Sequence, residues 1–156
     1  MDSRAPLVVG IDYSPASKQA LEAAIRTAKD WRVGIELVHA LSPLGAPGLD
    51  LEHPQFDAER NETADISASQ PHTPQAWLQH VRDAGVPAKL VTRPGPAAQV
   101  ILEEAMRTHA RAIVVGSHGR TGIGKALLGS VAQTVVDNSP VPVMVVPANG
   151  RGVQAA

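Results

Sequence analysis

Five glycines, Gly116, Gly119, Gly122, Gly124 and Gly129, fall within fourteen positions. Glycine lets backbone N–H groups turn toward an anion with no β-carbon in the way. A helix pattern begins at Gly129-Ser130, and the start of a helix carries free N–H donors and a partial positive charge that suit phosphate. The Ser130 hydroxyl adds a further donor, and Arg120 and Lys125 supply charge for outer phosphates. A plain tight turn is the bland alternative; the length of the loop between an apolar strand and a helix favours anion or nucleotide binding. Gly119 to Ala126 nearly repeats the phosphate-loop pattern G-x-x-x-x-G-K-[ST], but Ala126 stands where the magnesium-binding hydroxyl belongs, so the match reads as coincidence.

A second candidate lies early in the chain, at Gly10-Ile11-Asp12-Tyr13-Ser14. A carboxylate at the end of a central strand meets ligand or metal more often than it serves only as a turn residue, although a helix cap is the alternative for Asp12. None of the six histidines pairs with another at i,i+4 on one helix, so a zinc-type pair is absent; His118, in the glycine loop, is placed to touch phosphate or to face solvent. Asp50, Glu52, His53, Asp57 and Glu59 read as a solvated acidic face rather than a metal site. No G-x-S-x-G elbow occurs. The reading is therefore of a binding protein and not an enzyme, with slow magnesium-dependent ATP hydrolysis as one alternative and a nucleotide-free interaction module as another.

These residues need a scaffold. Five β-branched runs, Leu7–Ile11, Ile35–Ala40, Ala88–Val91, Ala112–Val115 and Val141–Val146, are mostly continuous and apolar, as strands covered on both faces are. Helix patterns lie between them. Ser14-Pro15 and Thr73-Pro74 each combine a capping side chain with a proline suited to the first turn. Leu21, Ala24, Ile25 and Ala28 mark the inner face of the first helix, and Trp77, Leu78 and Val81 that of the second. Gly95-Pro96 precedes a third helix with Ala97, Val100, Ile101 and Ala105. A fourth runs from Gly129 to Asn138, with Val131, Val135 and Val136 expected inward, and stops before Pro140. The alternation predicts a doubly wound parallel α/β sheet with helices on both faces. Ligands of such sheets bind beyond the carboxyl ends of the strands, where strand order reverses.

The chain has 156 residues, fitting one domain over residues 1–147, with a flexible insert over 41–72 and a frayed tail over 148–156. It has no cysteine, which excludes disulfides, thiolate metal sites and a cysteine nucleophile. Fourteen Lys and Arg against fifteen Asp and Glu give a net charge of -1, so there is no global positive field for nucleic acid or anionic membrane. No apolar run reaches the roughly 20 residues that span a bilayer, and the N-terminal stretch does not read as a signal peptide, so a cytoplasmic location is expected.

Gly116-Ser117-His118-Gly119, nine residues, then Gly129-Ser130 has the spacing Gly-x-x-Gly, nine, Gly-Ser/Thr. With Val8-Val9-Gly10-Ile11-Asp12 at the start and Asn138-Ser-Pro140-Val-Pro142-Val-Met-Val-Val-Pro147 at the end, it resembles the nucleotide-binding members of the universal stress protein family. The resemblance implies a five-stranded sheet in the order 3-2-1-4-5, with ATP between the ends of strands one and four. Adenine would lie near Asp12 and the backbone of Val38 and His39, with Tyr13 and Ser14 beside it. Ribose would lie near Gly116. Phosphates would meet Gly119, Gly129, Ser130 and Val131, accompanied by a divalent cation such as Mg, with Ser117, His118, Arg120 and Gly122 as further candidate nucleotide-binding residues. A homodimer through Val141–Val146 is also implied, in agreement with Pro142, whose missing N–H places that run at a sheet edge.

Overall fold

The computed structural model describes residues 4–41, 73–118 and 128–148. Within them the chain runs β1 (Leu7–Gly10), α1 (Pro15–Trp31), β2 (Ile35–Leu41), α2 (Pro74–Asp83), β3 (Ala88–Pro94), α3 (Ala97–Arg107), β4 (Ala112–Gly116), α4 (Ser130–Asn138) and β5 (Val143–Val146). The expected insert beyond Leu41, with its acidic cluster, and the tail beyond Ala148 lie outside the described residues, as do Gly119, Arg120, Gly122 and Lys125.

The strands form one parallel sheet in the order β3-β2-β1-β4-β5. Alternate residues of the two central strands feed opposite layers. Leu7, Val9, Ala112 and Val114 pack with Leu21, Ala24 and Ile25 of α1 and Trp77 and Val81 of α2. Val8, Ile113 and Val115 pack with Val100, Ile101 and Ala105 of α3 and Ala132 and Val135 of α4. Both faces of β1 and β4 are therefore covered, which is why their sequences are apolar without alternation.

The outer strands differ. β3 mixes half-buried and exposed residues with none fully buried, and every residue of β5 is half-buried, as suits edge strands with one open flank. β5 begins at Val143, two residues later than expected. Pro142 precedes it and takes part only as an acceptor, its carbonyl receiving the Ile113 N–H at 2.9 Å. α4 is also rotated from expectation. Ala132 and Val135 face inward, whereas Val131 and Val136 are 38% and 42% exposed. Ala132 and Val135 lie three apart on the side that meets α3, and that contact fixes the phase of the helix.

The helix starts follow their local chemistry. Ser14 is extended, and its Oγ accepts the Ser17 N–H at 3.1 Å. Thr73 Oγ1 accepts the Ala76 N–H at 3.2 Å. Gly95 has φ 134, a conformation nearly reserved for glycine, and turns the chain from β3 into α3.

Candidate functional site

Strand order reverses between β1 and β4, because β1 is followed in sequence by β2 on one side and lies beside β4 on the other. The carboxyl ends of these strands define a crevice of the kind that holds ligands in open α/β sheets.

On the β1 side, Asp12 forms a tight turn into α1. Its Oδ1 accepts the Ser14 N–H at 2.9 Å, and its own N–H donates to Ser17 Oγ at 3.1 Å. Asp12 thus does fill the structural role of a turn residue, and its carboxylate is fixed in place beside the crevice. Tyr13, between these bonds, has φ 63, an unusual value for a side chain of this size. Its ring lies 5.3 Å from that of His39 and 5.2 Å, edge-on, from that of Trp77. β2 joins this group through its backbone: the Ile11 N–H donates to the Val38 carbonyl at 3.0 Å, and His39 Nδ1 lies 3.4 Å from the Ile11 carbonyl. Asp12, Tyr13, Ser14, Val38 and His39 are therefore neighbours at the ends of β1 and β2. Ser17 and Trp77 complete the group. Sequence reasoning placed Trp77 in the core and overlooked Ser17, which is visible as a second hydroxyl three residues after the capping serine.

On the β4 side, Gly116 sits against the first turn of α1. A β-carbon there would lie 2.7 Å from the Ala16 carbonyl carbon and 2.9 Å from the Ser17 nitrogen. Only glycine allows β4 and α1 to approach this closely without backbone movement. Ser117 follows, with its N–H donating to the Val146 carbonyl at 2.8 Å and its carbonyl accepting the Gly129 N–H at 2.7 Å. The second bond draws the start of α4 back to the end of β4.

This bond alters the part expected of Gly129. Its amide is already engaged, so the free donors at this end are those of the first turn that follows. Gly129 is the N-cap of α4 and has no side chain to cap it, and the first turn contains no acidic residue. Ser130 and Val131 are exposed, with their amides at the positive end of the helix. Ser117 Oγ lies 3.0 Å from His118 Nδ1, and His118 Nε2 is buried with no hydrogen-bond partner among the described residues. No group of three or more potential metal-ligating side chains occurs among the described residues.

A separate polar cluster lies on the α3 side of the sheet. Glu36 of β2 and Glu104 of α3 are 4% and 1% exposed. Arg107 Nη2 donates to Glu36 Oε1 at 3.0 Å, and Arg107 grips Glu104 through Nε, at 3.0 and 3.1 Å, and through Nη2. Arg93 Nη1 lies 3.7 Å from Glu104 Oε2. Burial, followed by the hydrogen bond and negative charge of Glu104, raises the pKa of Glu36 from 4.5 to about 7. The Arg107 hydrogen bond holds Glu104 below the usual carboxylate range. The sequence reading missed this pair; its only trace is one glutamate inside the apolar run of β2.

The fold and its strand ends define a doubly wound α/β protein with a polar crevice at the switch point. The chain belongs to the universal stress protein family, whose family model matches residues 4–147. A universal stress protein of Mycobacterium tuberculosis is 36% identical over 146 residues, covering 90% of this chain and 45% of the relative, so the chain spans about half the length of that protein. A universal stress protein from Archaeoglobus fulgidus has a TM-score of 0.67 at 25% identity, covering 92% of this chain and 98% of the other. A universal stress protein solved in complex with cAMP has a TM-score of 0.62 at 25% identity, covering 93% and 98%.

Proposed function

We propose that the crevice between β1 and β4 binds an adenine nucleotide, ATP with a divalent cation such as Mg, and that the chain acts as a regulatory stress-response protein. The observation that carries this reading is the start of α4. It has a glycine cap, no acidic residue in its first turn and an exposed Ser130 and Val131, and the bond from Gly129 to Ser117 holds it against the end of β4. Such an end attracts phosphate through N–H donors and the helix dipole. The cAMP-bound relative supports an adenine nucleotide as the ligand class.

In this reading the phosphates meet Ser130 and Val131 and the glycine loop that contains Gly119, Arg120 and Gly122. Ribose lies by Gly116, and the base lies by Asp12, Tyr13, Val38 and His39. The nucleotide serves as a conformational ligand, shifting the protein between states by its differential affinity for them. One domain over residues 1–147 carries the site, and the protein works in the cytoplasm. Two copies pair through the edge strand β5, whose residues are all half-buried in the single chain.

Gly129→Glu tests the reading. A carboxylate at the cap would bond the first-turn amides itself and repel phosphate, while the backbone at this position (φ -62, ψ 160) lies in the extended region that non-glycine residues adopt. Equilibrium dialysis with labelled ATP should show retention by the wild-type protein and none by the folded variant. Equal affinity in both would refute the phosphate cradle.

A further inference from the structure

We propose that the amino end of the sheet, opposite the crevice, is a docking surface for an acidic segment of a partner protein, gripped by Arg4, Arg32 and Arg111 around Trp31. The surface lies away from the strand ends that form the crevice, and the inference does not depend on the nucleotide reading.

Three loops meet at this end. The Arg111 N–H, just before β4, donates to the carbonyl of Pro6, just before β1, at 2.8 Å, and the Leu7 N–H donates to the carbonyl of Gly34, just before β2, at 2.9 Å. Arg4 Nη1 donates to the Arg32 carbonyl at 3.4 Å, and the Arg111 guanidinium lies over the Trp31 ring, 4.9 Å from its centre. Arg4, Trp31, Arg32 and Arg111 are thereby gathered beside Lys29 of the last turn of α1, and all five are exposed. Asp30 is the one acid among residues 29–32. None of the four cations forms an ion pair among the described residues, whereas Arg93 and Arg107 on the α3 side both do. The negative end of α1 accounts for Lys29 and Arg32 but not for Arg111, which comes from the loop before β4. Arg32 has φ 55 at the C-cap of α1, a position that most often goes to glycine, so a guanidinium stands where the backbone asks for no side chain.

The arrangement selects the class of partner. Guanidinium groups match carboxylates through paired N–H bonds, and one stacked on an aromatic ring is held in plane to make them. The same stacking covers the face of Trp31 that a nucleic acid base would need. The net charge of -1 gives a long polyanion no attraction beyond the patch itself. Trp31 is 37% exposed, which leaves little ring to enter a lipid surface. A short run of carboxylates on a polypeptide meets the local positive charge without these costs.

The probe is a labelled peptide of alternating Glu and Ala, followed by fluorescence anisotropy with the full chain. It should bind, and more weakly as salt is raised. Arg111→Glu and Arg4→Glu should each weaken it about tenfold or more. Arg111→Lys, which keeps the charge and loses the fork, should weaken it about threefold. Lys89→Glu, an equal charge change on the exposed edge of β3, should stay within about twofold of wild type. The peptide should also change the tryptophan emission of the wild-type protein and not that of Trp31→Phe, in which Trp77 alone remains. This second readout needs no charge variant to fold.

No binding of the peptide, equal losses for Lys89→Glu and Arg111→Glu, or an unchanged Trp31 emission at saturating peptide would overturn the proposal. Tighter binding at the same salt to oligothymidylate or to phosphatidylglycerol vesicles would overturn it in favour of a nucleic acid or a membrane. Self-association of the wild-type chain that Arg111→Glu abolishes would overturn it in favour of a second copy.

Discussion

Replacing Glu36 with glutamine should stabilise the protein at alkaline pH and remove part of its pH dependence. Glu36 and Glu104 are buried together between β2 and α3, and Arg107 bonds both. One guanidinium at hydrogen-bond distance cannot neutralise two buried carboxylates, and the folded chain responds by retaining a proton on Glu36 up to about pH 7. The unfolded chain loses that proton near 4.5. Below 4.5 both states hold it and there is no penalty. Between 4.5 and 7 only the folded state holds it, so stability falls as pH rises; above 7 the loss is complete. A tenfold change in proton affinity is worth about 1.4 kcal/mol, so the ceiling is on the order of 3 kcal/mol. Glutamine is neutral throughout, is nearly the same size, and can still accept from Arg107 and donate to Glu104. Urea unfolding at steps from about pH 5 to about pH 8.5 should show the variant and wild type close together at the acid end, with the variant ahead by roughly 2 kcal/mol at the alkaline end. Parallel profiles, or a variant less stable than wild type at about pH 8, would refute the shared-proton account. Glu104 works in the opposite direction: its lowered pKa stabilises the fold above 4.5, and that contribution is lost as pH falls through its folded value.

Gly116→Ala should lower stability by about 1–3 kcal/mol, because its β-carbon would meet the α1 backbone at 2.7–2.9 Å, and it should weaken nucleotide binding by parting the two sides of the crevice; thermal unfolding and ATP titration measure the two effects. Val135→Ala should cost about 1–3 kcal/mol and Val136→Ala less than about 0.5, since the first is fully buried and the second is 42% exposed; matched urea curves would check the rotation of α4.

Much of the fold is legible in the sequence because a few residues act locally. Ser14-Pro15 and Thr73-Pro74 mark helix starts through bonds that span three residues. β1 and β4 are legible as apolar runs because both faces are covered. The strand order is different: it came through the family resemblance, since no local pattern places β4 beside β1. The phase of α4 was not legible, because its valines satisfy a helical period on more than one face and only packing against α3 selects Ala132 and Val135. Nor was the acid pair, whose members lie far apart in the chain and meet only when α3 crosses β2. The described candidate residues, Asp12 to Ser14, Val38, His39, Gly116 to His118 and Gly129 to Val131, lie at strand ends and at a helix start, as their sequence patterns imply. The engagement of the Gly129 amide was not legible, because it depends on the Ser117 carbonyl turning back from the end of β4.

The most direct test of the central claim is the nucleotide content of protein purified without added ligand, denatured and examined by mass spectrometry, with a thermal shift on adding ATP and Mg as its companion. The account requires an adenine nucleotide to be released from the purified chain, or a clear rise in melting temperature when ATP is supplied. A chain that yields no nucleotide and melts at the same temperature with and without ATP would contradict it and would leave a nucleotide-free interaction module in its place.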